Sequence, residues 1–169
     1  NGFSISALVG KKEIMKLGGL EHNKERVFLL STTYGGETHH LRAAQKSIEI
    51  LNQNDYEVTK HIWNVGRTVK ENYNTFVKKH SLQEYTKMMG IDCRPYFYFK
   101  DNTIRTLFLQ EMIKCGVLVQ GIIPSYSHRE NEIKQTLDAF DYSLRVLANA
   151  ISNNEVNKLL IGNAVKPVF

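Results

Sequence analysis

The sequence predicts an α/β fold in which helices cover a small sheet, for a chain of 169 residues. Short apolar or aromatic runs bounded by glycine or polar residues are typical of strands. They alternate with longer segments whose apolar residues recur every three or four positions, as in amphipathic helices. Such alternation is typical of layered α/β proteins.

The first part of the chain contains two predicted strands and two predicted helices. Residues 3–9 alternate apolar and small polar side chains, as in a strand, and residues 11–17 have the pattern of a short helix. Residues 27–30 form a continuous apolar run, which is typical of a strand buried on both faces. A helix is expected over about 37–51, because its apolar positions have helical spacing.

A polar interruption at residues 52–55 (Asn-Gln-Asn-Asp) marks a predicted domain boundary. We therefore assign residues 1–54 to a first domain and residues 55–169 to a second. The second opens with a long amphipathic helix, whose apolar residues recur at intervals of three and four and which is interrupted only by Gly66.

The rest of the chain alternates predicted strands and helices. Residues 96–99 (Tyr-Phe-Tyr-Phe) are a strand by composition, residues 104–113 a helix and residues 116–119 a strand. Ser127 and Glu130 are spaced as in a capping box that opens a further helix. The apolar face of that helix comprises Ile133, Leu137, Phe140, Leu144, Leu147 and Ile151.

Composition restricts the possible functions. The formal net charge is +5, from 22 Lys+Arg and 17 Asp+Glu. The lysines are dispersed among carboxylates without an arginine-rich block, so we expect a mildly basic surface and no nucleic-acid partner. Cys93 and Cys115 form no motif, which indicates a reducing, cytoplasmic setting. No apolar run is long enough for a membrane span, and the first residues do not resemble a signal peptide.

The segment most able to carry chemistry follows the predicted strand at 27–30. It reads Ser-Thr-Thr-Tyr-Gly-Gly over residues 31–36 and precedes a helix. Glycines allow close backbone approach, threonine offers a hydroxyl donor, and a helix N-terminus favours anions, so the segment can hold a phosphate. It is neither a Walker loop nor a Rossmann fingerprint, so the string taken alone favours a plain strand-to-helix turn over a phosphate site.

This segment resembles a motif of class III aminotransferases. Residues 31–37 look like their S-T-[YFH]-G-[GA]-[NE] segment. Residues 7–15 and 35–39 are most similar to enzymes resembling glutamate-1-semialdehyde aminomutase, in particular those of bacterial surface-polysaccharide biosynthesis, and residues 160–169 look like the tail of that subgroup. The resemblance covers essentially the whole chain.

The resemblance implies a cofactor, a dimer and a cofactor site. The cofactor would be pyridoxal 5'-phosphate (PLP), bound near Thr33, Tyr34, Gly35 and Gly36. Thr33 would reach the PLP phosphate of the partner subunit in a homodimer. Residues 1–54 would be the end of the PLP-binding large domain, and residues 55–169 the linking helix and the small C-terminal domain.

The catalytic lysine of the family lies just upstream of a segment resembling residues 1–4. The resemblance therefore implies no catalytic residue in this chain, which we expect to be inactive alone. Lys11 and Lys12 match a surface helix in the family and are expected to be solvated.

Three further polar positions bear on substrate or metal binding. Gln120 stands where ornithine-type members carry an arginine for a substrate carboxylate, which argues against such a substrate. Residues 125–128 resemble the aminomutase branch, and we expect a structural or second-shell role for His128. His39 and His40 are adjacent in a helix and no carboxylate or cysteine completes a site in the sequence pattern, so no metal is expected.

The sequence thus predicts part of a PLP-dependent aminotransferase or aminomutase that acts on a small amine or carbonyl substrate. A sugar or ω-amino-acid aminotransferase without mutase activity is equally compatible with the residues. The alternative from another class is a non-catalytic α/β interaction module with a basic surface.

Overall fold

The computed structural model describes residues 2–19, 22–25 and 36–166. They fall into two compact units, Asn1–Tyr56 and Glu57–Phe169. The fold class is α/β, as predicted, with helices and a small sheet. The elements are α1 (Lys12–Met15), α2 (Thr38–Leu51), α3 (Glu57–Lys79), β1 (Thr86–Met89), β2 (Tyr96–Phe99), α4 (Asn102–Lys114), α5 (Glu130–Ser152) and α6 (Val156–Leu159). The assignment of residues 1–54 to a cofactor-binding domain stays a prediction.

The first unit confirms two predicted helices. Helix α1 continues into a 3-10 turn at Lys16–Gly18, and α2 covers the segment predicted over 37–51. The predicted strand at 3–9 is wrong: this segment is exposed and pairs with no strand among the described residues. Alternation alone does not make a strand, because a ladder needs a partner. The predicted strand at 27–30 lies outside the described residues.

Three consecutive left-handed residues follow α2. Asn54, Asp55 and Tyr56 have φ angles of 49°, 55° and 61°. Asparagine and aspartate tolerate this region better than other residues with a side chain, because their short polar groups bond to nearby backbone. The polar interruption seen in the sequence therefore corresponds to a short left-handed segment just after the end of α2.

The second unit is organised around the predicted long helix, α3. Its buried residues are Val65, Gly66, Val69, Tyr73 and Val77. They recur every three or four positions, and this face packs against α5 and β1. Helices α4 and α5 bury the predicted apolar faces in the same core. Within the described parts of the chain, no helix is both long and apolar enough to cross a bilayer.

The sheet is an antiparallel hairpin of β1 and β2, in which Thr86 pairs with Phe99 and Met88 with Phe97. Strand β2 was predicted and is confirmed, whereas β1 was missed, since Thr-Lys-Met-Met lacks the aromatic signal of its partner. The inward residues of both strands contact the core, and Lys87 and Tyr98 lie on the outer face.

Aromatic rings fill the centre of this core. Tyr73 makes edge-to-face contacts with Phe97, Phe108 and Phe140, at centroid distances of 5.2, 5.8 and 5.1 Å. Its hydroxyl donates to Thr86 Oγ1 at 2.7 Å, because Thr86 itself donates to the Tyr98 carbonyl at 2.8 Å. Burial raises the pKa of Tyr73, and the buried hydroxyl is satisfied in its neutral form.

Two predictions in this unit are wrong. Residues 116–119 form no strand; Val117 and Val119 still pack against the core, but no neighbouring strand pairs with them among the described residues. The capping box lies two residues further on than predicted, since the Arg129 N–H donates to the Glu132 carboxylate at 2.9 Å and α5 begins at Glu130. Glu132 stands at the third helical position and accepts from the N–H of the N-cap residue, so this half of the box needs no hydroxyl side chain.

Candidate functional site

The predicted phosphate segment is described only at its end. Thr33, Tyr34 and Gly35 lie outside the described residues, whereas Gly36 forms an exposed turn directly before α2. Gly36 has φ +88°, and a Cβ built there would meet no atom of the described residues within 4 Å. This conformation favours glycine and would strain any residue with a side chain.

The beginning of α2 offers free donors. Glu37 is the N-cap, and its side chain makes no capping hydrogen bond. The first N–H groups of a helix lack partners within the helix and carry a partial positive charge, so they attract anions when no side chain caps them. The described end of the predicted segment is thus compatible with a phosphate.

A histidine–carboxylate cluster lies at the same helix start. Glu37 Oε2 is 3.3 Å from His39 Nε2 and 3.4 Å from His40 Nδ1. The sequence-based argument overlooked this carboxylate, which lies beside both histidines. The missed signal is the Glu-x-His-His spacing. Glu37 is three residues before His40, and as the extended N-cap residue its side chain also reaches His39.

Gln120 lines a groove beside the hairpin in the second unit. Its other walls include Tyr96, Tyr98, Lys100 and Arg105. The tyrosines stand on the outer face of β2 and are exposed. Gln120, which stands at the substrate-contacting position of ornithine-type enzymes, therefore shares its groove with the exposed guanidinium of Arg105 from α4. The sequence did not predict that these two residues lie close together.

His128 is held by local backbone contacts. Its Nδ1 accepts from the Ser125 N–H at 3.0 Å, and its carbonyl lies 2.8 Å from His61 Nε2. Nδ1 is occupied as an acceptor, so a neutral ring carries its proton on Nε2. The ring lines an apolar cavity of about 200 Å³ that includes Val65 and Ile122. These contacts support the expected structural role, which stays a prediction.

The remaining candidates are simple to place. Lys11 and Lys12 are both exposed at the start of α1, as expected for solvated lysines. Cys93 and Cys115 are half-buried free thiols.

Comparison with known proteins identifies one curated relative and one solved structure of note; no family model matches the chain. The relative is a 3-aminobutyryl-CoA aminotransferase of Cloacimonas acidaminovorans (strain Evry), 28% identical over 154 residues, which cover 85% of this chain and 34% of the relative. The structure is the FumI protein of Sphingopyxis sp. MTA144 in its PLP internal aldimine form. The TM-score is 0.62 and the identity 17%, over 75% of this chain and 31% of that one.

These likenesses show the fold. The chain has an α/β fold like that of part of a PLP-dependent enzyme, and the similarity in sequence is to an aminotransferase. It spans about a third of the length of each protein that it matches.

Proposed function

We propose that this chain is part of a PLP-dependent aminotransferase. The observation that carries the proposal is the alignment with an aminotransferase over 85% of the chain. The likeness to a PLP-bound enzyme at a TM-score of 0.62 supports it independently, since that comparison rests on backbone geometry.

The cofactor proposed for the intact protein is PLP. When bound, PLP supplies an electron sink for a substrate carbanion. The residues proposed to bind its phosphate are Thr33, Tyr34, Gly35 and Gly36. The turn at Gly36 and the start of α2, where the Glu37 side chain makes no capping hydrogen bond, support this assignment, because backbone N–H groups at a helix start can bind an anion.

The role of Thr33 is to donate its hydroxyl to a phosphate oxygen. In a homodimer resembling other class III enzymes, that phosphate belongs to the partner subunit. Lys11 and Lys12 stay solvated, and the catalytic lysine lies upstream of Asn1, so the chain alone has no activity in this proposal. We place the intact protein in the cytoplasm.

The reaction proposed is amino transfer on a small molecule, with glutamate-1-semialdehyde aminomutase as the nearest resemblance in motif and surface-polysaccharide biosynthesis as the setting. The relative acts, by its name, on 3-aminobutyryl-CoA. The resemblance in motif and the name of the relative both favour a substrate that carries a primary amine on a short carbon chain. An ornithine-type substrate is not favoured, because Gln120 stands where an arginine would bind its carboxylate.

The rival function, a basic interaction module, receives little support from the charges. Several cations lie beside carboxylates, among them Lys46 with Glu49, Arg67 with Asp92 and Lys79 with Asp141. Paired cations contribute less to binding of a polyanion than an uninterrupted basic patch does.

The proposed site is tested by Thr33→Ala in the full-length protein. Loss of one hydrogen bond to a charged phosphate should weaken PLP binding by ~1.5–3 kcal/mol. The measurement is a titration of the apoprotein with PLP, followed by visible absorbance.

Thr32→Ala is the matched control, because it removes the same hydroxyl one residue away and should leave PLP affinity near that of the unmodified protein. Equal affinities of both variants and the unmodified protein would remove Thr33 from the site.

A further inference from the structure

The cluster at the start of α2 has the spacing of metal ligands. Its three ligand atoms, one each from Glu37, His39 and His40, all lie within 4.8 Å of one another. The carboxylate oxygen is 3.3 and 3.4 Å from the two imidazole nitrogens. A tetrahedral ion with bonds of about 2.0–2.1 Å holds neighbouring ligand atoms about 3.3–3.4 Å apart. Two of the three separations therefore already match a shared ion.

His40 supplies an independent observation. Its Nδ1 is buried and makes no hydrogen bond within the described structure, although the Glu37 carboxylate lies at ion-pair distance. Buried polar nitrogens nearly always have a partner, and each exception calls for an explanation such as an ion or a water. A cation held between Nδ1 and the carboxylate would provide that partner.

The surroundings restrict how the rings can move. Phe3 packs against both imidazoles, at centroid distances of 5.7 Å to His39 and 5.4 Å to His40. The His40 side chain is only 13% exposed, whereas that of His39 is 64% exposed. His40 is thus held in place by its surroundings, whereas the more exposed His39 ring has solvent on one side and can adjust so that its Nε2 faces the ion.

We propose that Glu37, His39 and His40 bind one first-row divalent metal ion, with water completing the coordination. The chemistry of these ligands favours Zn²⁺. Two imidazoles and a carboxylate are a recognised zinc ligand set. Their borderline character does not suit Mg²⁺ or Ca²⁺, which prefer all-oxygen sites. The site is separate in chemistry from the proposed PLP function, and its test does not depend on PLP.

The test is metal binding by the full-length protein, stripped of metal with a chelator. Titration with Zn²⁺ against a competing chromophoric chelator should show one saturable site per chain, and Co²⁺ should give the visible absorption of a tetrahedral complex. His39→Ala, which removes an exposed ring, should weaken Zn²⁺ binding by more than about tenfold. Glu37→Gln should do the same while preserving side-chain shape.

The matched control is His80→Ala. His80 Nε2 lies 2.8 Å from Asp141, but no third ligand atom joins this pair within the described residues. This variant should bind Zn²⁺ as the unmodified protein does. Absence of saturable binding, or equal affinity in the His39→Ala and unmodified proteins, would overturn the proposal. PLP content measured in the same samples keeps this outcome distinct from a failure of the aminotransferase proposal.

Discussion

Gly66 is the residue at which the second unit leaves least room for a side chain. It lies in the middle of α3, against the segment that joins β1 and β2, and a Cβ built there would overlap the carbonyl oxygen of Asp92. The same Cβ would come within 3.0 Å of Pro124 Cγ. Because the overlapping group is backbone, rotation of a side chain cannot relieve it.

Gly66→Ala should therefore destabilise the protein. In an exposed helix the change would stabilise by up to about 1 kcal/mol, but here the overlap should outweigh that gain and lower the free energy of unfolding by about 1–3 kcal/mol. Urea denaturation measures the difference. Gly162→Ala is the control, since a Cβ there meets no atom within 4 Å among the described residues. An equal effect of both changes would show that the packing argument is wrong.

At the residue scale, the sequence predicted a turn but not the side-chain contacts beside it. The Gly36 turn was expected from two adjacent glycines, and its φ of +88° agrees with that expectation. The cluster of Glu37 with His39 and His40 was missed because adjacent residues point apart on an ideal helix. The cluster forms at the start of α2, where its member Glu37 is the N-cap residue and has an extended backbone.

At the scale of elements, one carboxylate joins the hairpin to α3. Asp92 lies between the two strands, and it accepts from Lys70 Nζ at 2.5 Å and from Arg67 Nε at 2.9 Å. The hydrogen bonds from Lys70 and Arg67 lower the pKa of Asp92 and outweigh the opposing effect of burial. The ionised carboxylate is therefore favoured in the folded protein.

This contact should make stability depend on pH in acid. The pKa of an aspartate in an unfolded chain is about 3.9, and the pKa of Asp92 in the folded protein is lower. The stabilisation is therefore fully present above about pH 5, begins to fall as the pH approaches the unfolded pKa, and is lost as the pH falls through the folded pKa. The difference in free energy of unfolding between the unmodified protein and Asp92→Asn should be constant from neutral pH to about pH 5, then shrink below it.

Asp138→Asn serves as the control for this titration. Asp138 pairs with Lys134 on the exposed face of α5, and exposed pairs contribute little to stability. Equal behaviour of the two variants in urea unfolding across this pH range would show that Asp92 makes no special contribution.

The helices of the second unit were predicted more reliably than its strands, and the reason is physical. Helices α3, α4 and α5 follow from a local period of apolar residues, because their hydrogen bonds lie within one segment. A strand depends on a distant partner. Thus residues 3–9 alternate and residues 116–119 form a short apolar run, but neither segment pairs with a strand within the described ranges. Strand β1 forms because β2 provides its ladder.

At the scale of the whole molecule, the chain is about a third of each protein that it matches. Its second unit has a core of its own, built from α3, α4, α5 and the hairpin. The proposed phosphate residues belong to the first unit, Asn1–Tyr56. In a PLP enzyme, a lysine elsewhere in the longer chain would complete such a site.

The most direct test of the aminotransferase proposal is to locate bound PLP on the full-length protein. The purified protein is incubated with PLP, reduced with borohydride, digested and mapped by mass spectrometry. We expect a visible absorption band that reduction abolishes and a PLP-modified lysine a few residues before Asn1. Failure to bind PLP, or modification confined to Lys11 or Lys12, would contradict the proposal.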